Sequence, residues 1–145
     1  MAIRFFLDVI EYKVKGKRKI KAWIGKILTD HDKMVGEINI ILTNDSKILE
    51  INKKYLKRYD YTDVITFDYS NQERITGELY ISIDRIKENA IIYGVNNDNE
   101  LVRVIIHGIL HLLNYNDIKF SEKKKMKKME DNYLNEYYKK ESDNL

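Results

Sequence analysis

An α+β domain is predicted, with a small mixed four-stranded sheet packed against about five helices, and three observations predict it. The chain has 145 residues, the length of one compact domain with a real hydrophobic core. Its apolar residues change period along the chain, from two in some stretches to the helical i, i+3, i+4, i+7 in others. The order of these stretches is strands with an early helix, then helices crowded toward the C-terminus, with no repeat, linker or low-complexity segment to split them.

Ile3, Phe5, Leu7 and Val9 alternate and predict a first strand. From Lys17 to Asp32, Ile20, Trp23, Ile24, Ile27 and Leu28 fall on one helical face, opposite lysine and arginine. Residues 36–43, GEINIILT, are rich in β-branched types and predict a second strand. Asn44, Asp45 and Ser46 are capping types. They open a helix with Ile48, Leu49, Asn52, Tyr55 and Leu56 on one side. VITFDY, residues 64–69, predicts a third strand, SNQERITG a loop, and ELYISI, residues 78–83, a fourth strand.

Asp84 then suits the cap of a short helix ending near Gly94. Asn97, Asp98 and Asn99 offer the next cap, for a helix from Glu100 to Leu113 that is apolar nearly all round and therefore buried. Ser121 starts a last helix with Met126, Met129, Tyr133, Leu134 and Tyr137 inward.

Composition narrows the classes of function. Hydrophobic residues make up 43% and charged residues 34%, a globular balance. There is no cysteine, so no disulfide, thiolate metal site or cysteine nucleophile exists. That fits a cytoplasmic protein. The first fifteen residues lack a signal-peptide layout, and no stretch approaches a membrane span, so no membrane partner is expected. A net charge of +3 is too small to name a nucleic-acid partner unless the charges cluster.

The stretch HGILHLLNYND, residues 107–117, carries the chemistry. Histidines four apart on a helix share a face, and two imidazoles so placed can reach one ion. Asn114 suits a helix stop, because asparagine tolerates the left-handed conformation. Asp117 could then fold back as a third ligand, leaving a position for water. Two core histidines bonded to backbone carbonyls and an ordinary loop acid would produce the same letters, and the spacing leaves both readings open. The long zinc-protease motif has the same ligand spacing, but it places a glutamate directly after the first histidine as general base. Here that position is Gly108, which argues against peptidase chemistry by that route.

HGILHLLNYND resembles the H-G-x-L-H-L-x-G-Y-D-H signature of the YbeY-type endoribonucleases, or rRNA maturation factors. YTDVITF at 61–67 resembles that family's P-T-[DN]-V-L-S-F strand. Ile51-Asn52 followed by Tyr55 resembles its L-N-x-x-Y, and GELYI at 77–81 its G-D-I-x-I. The order and spacing hold across residues 51–117.

The resemblance implies a metal-dependent, single-strand-specific RNase, a hydrolase of phosphodiester bonds. Such an enzyme acts in processing the 3′ end of small-subunit rRNA and in ribosome quality control. It implies one zinc ion, or another divalent transition metal, on His107 and His111. The third family histidine falls on Asp117, itself an acceptable zinc ligand. The implied catalytic group is a metal-bound water. Single-stranded RNA or rRNA and a ribosome or ribosomal protein are the implied partners.

The family arginine after the tyrosine of L-N-x-x-Y is replaced by Leu56. Lys57 or Arg58 could supply that cation to RNA and help the water from a loop, or another cation serves. Lys17 and Arg18, in the basic run of residues 13–21, are further RNA-binding candidates, or else a solvated helix face. KKKMKK, residues 123–128, follows the histidine stretch and could guide RNA, but reads mainly as the outer face of a helix with Met126 and Met129 inward. Tyr55, Tyr59, Tyr61 and Tyr69 could stack on bases, although tyrosine at strand edges usually packs. Thr62 and Asp63 could support the ligands or simply cap the strand. His31 sits favourably at a helix C-terminus. Besides the enzyme, two alternatives stand: a non-catalytic assembly or RNA-binding factor with a structural metal, and another metallohydrolase.

Overall fold

A computed structural model describes residues 2–56 and 62–143. Lys57, Arg58, Tyr59 and Tyr61 lie outside the described residues. The elements run β1 (Ala2–Leu7), α1 (Lys17–Asp30), β2 (Met34–Thr43), α2 (Asp45–Ile51), a π-helical turn (Asn52–Leu56), β3 (Val64–Asp68), β4 (Arg74–Ser82), α3 (Ile83–Tyr93), α4 (Asn97–Leu112) and α5 (Phe120–Asp143). Among the described residues these make one α+β unit of four strands and five α-helices, as predicted. No helix there is long and apolar enough to cross a membrane.

The sheet order is β1-β2-β4-β3. β1, β2 and β4 run parallel, and β3 closes the edge antiparallel to β4. Period-two alternation gives the sheet two apolar faces. Ile38, Ile40 and Leu42 of β2 and Leu79 and Ile81 of β4 belong to the main core. They share it with Ile20, Ile24 and Ile27 of α1 and with Leu101, Ile105 and Ile109 of α4. Ile65 on the other face packs with Ile48 and Ile51 of α2, beside Phe67 and Tyr80. α4 buries ten residues, Leu101, Ile105, Ile109 and Leu110 among them. Each such Leu or Ile contributes about 1.5–3 kcal/mol relative to exposure, so α4 is a firm base for the side chains it carries.

Several boundaries differ from the sequence reading. β1 ends at Leu7, and Val9 has a φ of 54° and is exposed, so the chain turns there. β4 begins at Arg74, inside the stretch expected as loop. Asn71 Oδ1 accepts from the backbone N–H of both Glu73 and Arg74, which confines the turn to fewer residues. Ser82, not Asp84, caps α3 by accepting from Arg85 N–H. Asn96, not the next three residues, caps α4 by accepting from Asn99 N–H. α5 starts at Phe120, one residue before Ser121, because the Glu122 carboxylate reaches back to Lys119 N–H. Asn44 caps α2 as expected. The π turn after α2 rotates the following residues, so Ile51 and Asn52 are buried while Tyr55 is exposed.

Candidate metal centre

His107 and His111 stand one turn apart on α4, which packs against β3 and α5. Asn114 ends the helix with a φ of 70°. Its N–H donates to the carbonyl of His111, and Tyr115 N–H donates to that of Leu110. These two bonds are the left-handed helix stop that satisfies the last carbonyls. The reversal carries Asp117 back, and its Oδ2 lies 3.4 Å from Nε2 of both histidines. Ligand atoms of His107, His111 and Asp117 all lie within 4.8 Å of one another.

Hydrogen bonding sets the state of the rings. His107 Nδ1 is 2.5 Å from Glu130 Oε2, and His111 Nδ1 is 3.0 Å from the Tyr115 carbonyl. A carboxylate and a carbonyl only accept, so both Nδ1 atoms hold the proton and donate it. In a neutral ring Nε2 is then a bare lone pair, and the two Nε2 atoms face each other at 2.9 Å. Two lone pairs and a carboxylate oxygen converging on one point repel unless a ring proton or a metal ion stands among them. Zinc bonds of about 2.0–2.1 Å at tetrahedral angles put ligand atoms roughly 3.3 Å apart, close to the spacing here. The residues present therefore fit a divalent transition-metal ion, and could hold one.

A buried ionic chain stands behind His107. Arg103, one turn earlier on α4, bonds Glu100 through Nε at 2.9 Å and Nη2 at 2.5 Å, and Glu130 through Nη1 at 2.8 Å. Its Nη2 also lies 3.7 Å from Asp63 Oδ2. Burial works against charge on His107, but the hydrogen bond and charge of Glu130, with Asp63 and Asp117 adding, outweigh it and raise the histidine pKa. The same negative field favours a bound cation. A carboxylate fixing the ring opposite its ligand nitrogen is the usual support of a metal-bound histidine.

Gly108 is buried between the two histidines. A Cβ there would lie 2.6 Å from Leu79 Cδ2. The position that carries the general base in zinc proteases thus points into the core against β4, and no side chain from it reaches the site.

Two clefts meet at His107 and Asp117. One, of about 460 Å³, is walled by Asn52, Thr62, Asp63 and Thr66 and also touches His111. The other, of about 580 Å³, lies between α4, α5 and the end of α3, and includes Lys123 and Lys127. The structure thus brings together His107, His111 and Asp117, with Thr62 and Asp63 beside them. Lys17 and Arg18, on α1, line neither cleft. Tyr55 packs edge-on against Phe67, and Tyr69 reaches Glu78. His31 does more than sit at the end of α1. It bonds the Ile27 carbonyl through Nδ1 and the Tyr115 hydroxyl through Nε2, each at 2.8 Å.

Sequence reasoning missed Glu100, Arg103 and Glu130. A signal existed. Glu100, Arg103, His107 and His111 form one polar stripe along an apolar helix, and Glu130 falls at an inward position between Met126 and Leu134.

A family profile described as endoribonuclease YbeY matches residues 8–138. A Bacteroides thetaiotaomicron protein named endoribonuclease YbeY is 42% identical over 134 residues, 92% of this chain and 98% of that protein. An Azobacteroides pseudotrichonymphae protein of the same name is 48% identical over 118 residues, 81% of this chain and 85% of that protein. The solution structure of a Thermotoga maritima protein is similar with a TM-score of 0.67 and 27% identity, covering 99% of this chain and 93% of that one.

Proposed function

The chain belongs to the endoribonuclease YbeY family, and we propose on that premise that it is a zinc-dependent endoribonuclease specific for single-stranded RNA. Its role is rRNA processing in the cytoplasm, chiefly 3′-end maturation of small-subunit rRNA, together with ribosome quality control in contact with the ribosome or a ribosomal protein. The observation that carries the chemistry is the convergence of two bare Nε2 atoms and the Asp117 carboxylate where two clefts meet.

His107, His111 and Asp117 would hold one zinc ion. When bound, such an ion polarises a phosphoryl oxygen and lowers the pKa of a coordinated water toward about 7. Glu130 and the Tyr115 carbonyl keep the rings in the tautomer that presents Nε2. Thr62 and Thr66 offer hydroxyl groups along the polar cleft to a phosphodiester backbone. Unpaired RNA can bend into such a cleft, whereas a stiff A-form duplex cannot. Gly108 leaves no protease-type base on α4, which supports nuclease over peptidase chemistry.

The same lack of a base beside His107 on α4 favours a second reading, an assembly factor whose metal is structural. Incubating hairpins with long loops, duplex RNA and casein with wild type and His111→Ala separates the two. Loop cleavage by wild type alone is expected. Equal cleavage by the variant, or rescue of a deletion strain by His111→Ala as complete as by wild type, would overturn the enzymatic reading.

A further inference from the structure

We propose that the cleft between α4 and α5 is a nucleotide subsite, in which the base adjoining the cleaved phosphate stacks on Tyr93 and a neighbouring phosphate binds Lys123 and Lys127. The proposal deepens the nuclease reading and rests on it for the identity of the ligand as single-stranded RNA.

The cleft has the size and chemistry for one nucleotide. Its volume of about 580 Å³ falls within the roughly 300–1,000 Å³ of small-molecule sites. It shares His107 and Asp117 with the polar cleft, so a strand crossing the candidate metal centre can continue into it. Tyr93 is the last residue of α3, and Gly94, with a φ of 66°, turns the chain away behind it. The ring is left 62% exposed. That is far more than packing needs, and an aromatic face open beside a phosphate-handling centre is what base stacking uses. The Arg103 guanidinium lies 5.8 Å from the Tyr93 centroid, which ties the ring to the ionic chain behind His107. Met126 and Leu134 supply the apolar wall on the α5 side.

Lys123 and Lys127 stand one turn apart on α5 at the mouth of this cleft. Lys127 is shared with Asp131 at 3.7 Å, and Lys123 makes no ion pair among the described residues. Arg103 cannot serve as the phosphate clamp, because Glu100, Glu130 and Asp63 already surround its guanidinium. Lys123 is therefore the cation of this cleft best placed to meet a phosphate.

The test is anisotropy of a labelled short 2′-O-methyl oligoribonucleotide of mixed sequence with the full chain, across a salt titration. Tyr93→Ala should weaken binding about tenfold, the loss of one stacked base, while Tyr93→Trp should retain it. Lys123→Ala should lower the salt slope by roughly 0.7, one phosphate contact on a single strand. In cleavage assays Tyr93→Ala should raise KM and leave kcat within about twofold of wild type, as the loss of uniform binding requires. Unchanged affinity in Tyr93→Ala would overturn the subsite. It is also the result expected if a protein partner seats there through the exposed Ile91 and Ile92. Binding that needs Tyr93 in a protein that cuts no RNA would uphold the subsite while the nuclease reading falls.

Discussion

His107 and His111 face each other through Nε2 atoms 2.9 Å apart, each ring fixed from behind by a proton donated through Nδ1. Together with Asp117 the pair could hold a metal ion. Asp117→Ala should lower zinc affinity by more than about a hundredfold, beyond the 10–100-fold lost when a supporting group is removed. Asp117→His should keep affinity and cleavage, since imidazole also binds zinc. Asp117→Asn is nearly isosteric but neutral and should resemble Ala. Chelator competition on the three variants checks this; equal affinity in all would remove Asp117 from the site.

Glu130 should matter to both stability and metal. It is 6% exposed and bonds His107 and Arg103 together. Glu130→Ala removes one of the carboxylates around Arg103 and the acceptor of His107 Nδ1, and should cost about 1–3 kcal/mol in urea unfolding. Glu130→Gln keeps an acceptor for His107 and should fold, with zinc affinity down about tenfold. Full zinc affinity in both variants would show that the ring is oriented without Glu130.

A side chain at Gly108 should be destabilising. A Cβ 2.6 Å from Leu79 Cδ2 overpacks the α4–β4 contact, so Gly108→Ala should cost about 1–3 kcal/mol. Leu79→Ala in the same chain removes the clash, and the two changes should be clearly non-additive. Additive effects in the double-mutant cycle would place the cost elsewhere.

Asn114 is in the left-handed region at a φ of 70°. Asn114→Gly should keep stability or raise it. Asn114→Ala should lose about 1 kcal/mol, and because this turn places both the Tyr115 carbonyl and Asp117, zinc affinity should fall with it. Thermal unfolding and chelator competition on the same samples test the link between turn and site.

Much of this was legible in the sequence because it rests on local pattern. The inward face of α1, the stop at Asn114 and the return of Asp117 follow from periodicity and backbone preference within a few residues. Cap positions shifted where neighbouring residues competed for one role, as Asn96 did with Asn97 and Ser82 with Asp84. The start of β4 was hidden because a polar, turn-like stretch gains its strand from pairing with Met34 and Val35, a distant contact. Glu130 escaped for the same reason: its partners lie on α4, and only tertiary packing shows that a charge at an inward position of α5 meets His107.

The decisive measurement is single-strand RNA cleavage by protein stripped of metal, with zinc content determined on the same samples. Stripped protein should be inactive. One equivalent of zinc per chain should restore cleavage in wild type and leave His107→Ala and His111→Ala inactive. Cleavage that persists in wild type after its metal is shown to be gone, or that returns equally in the histidine variants, would contradict the assignment of this centre to RNA hydrolysis.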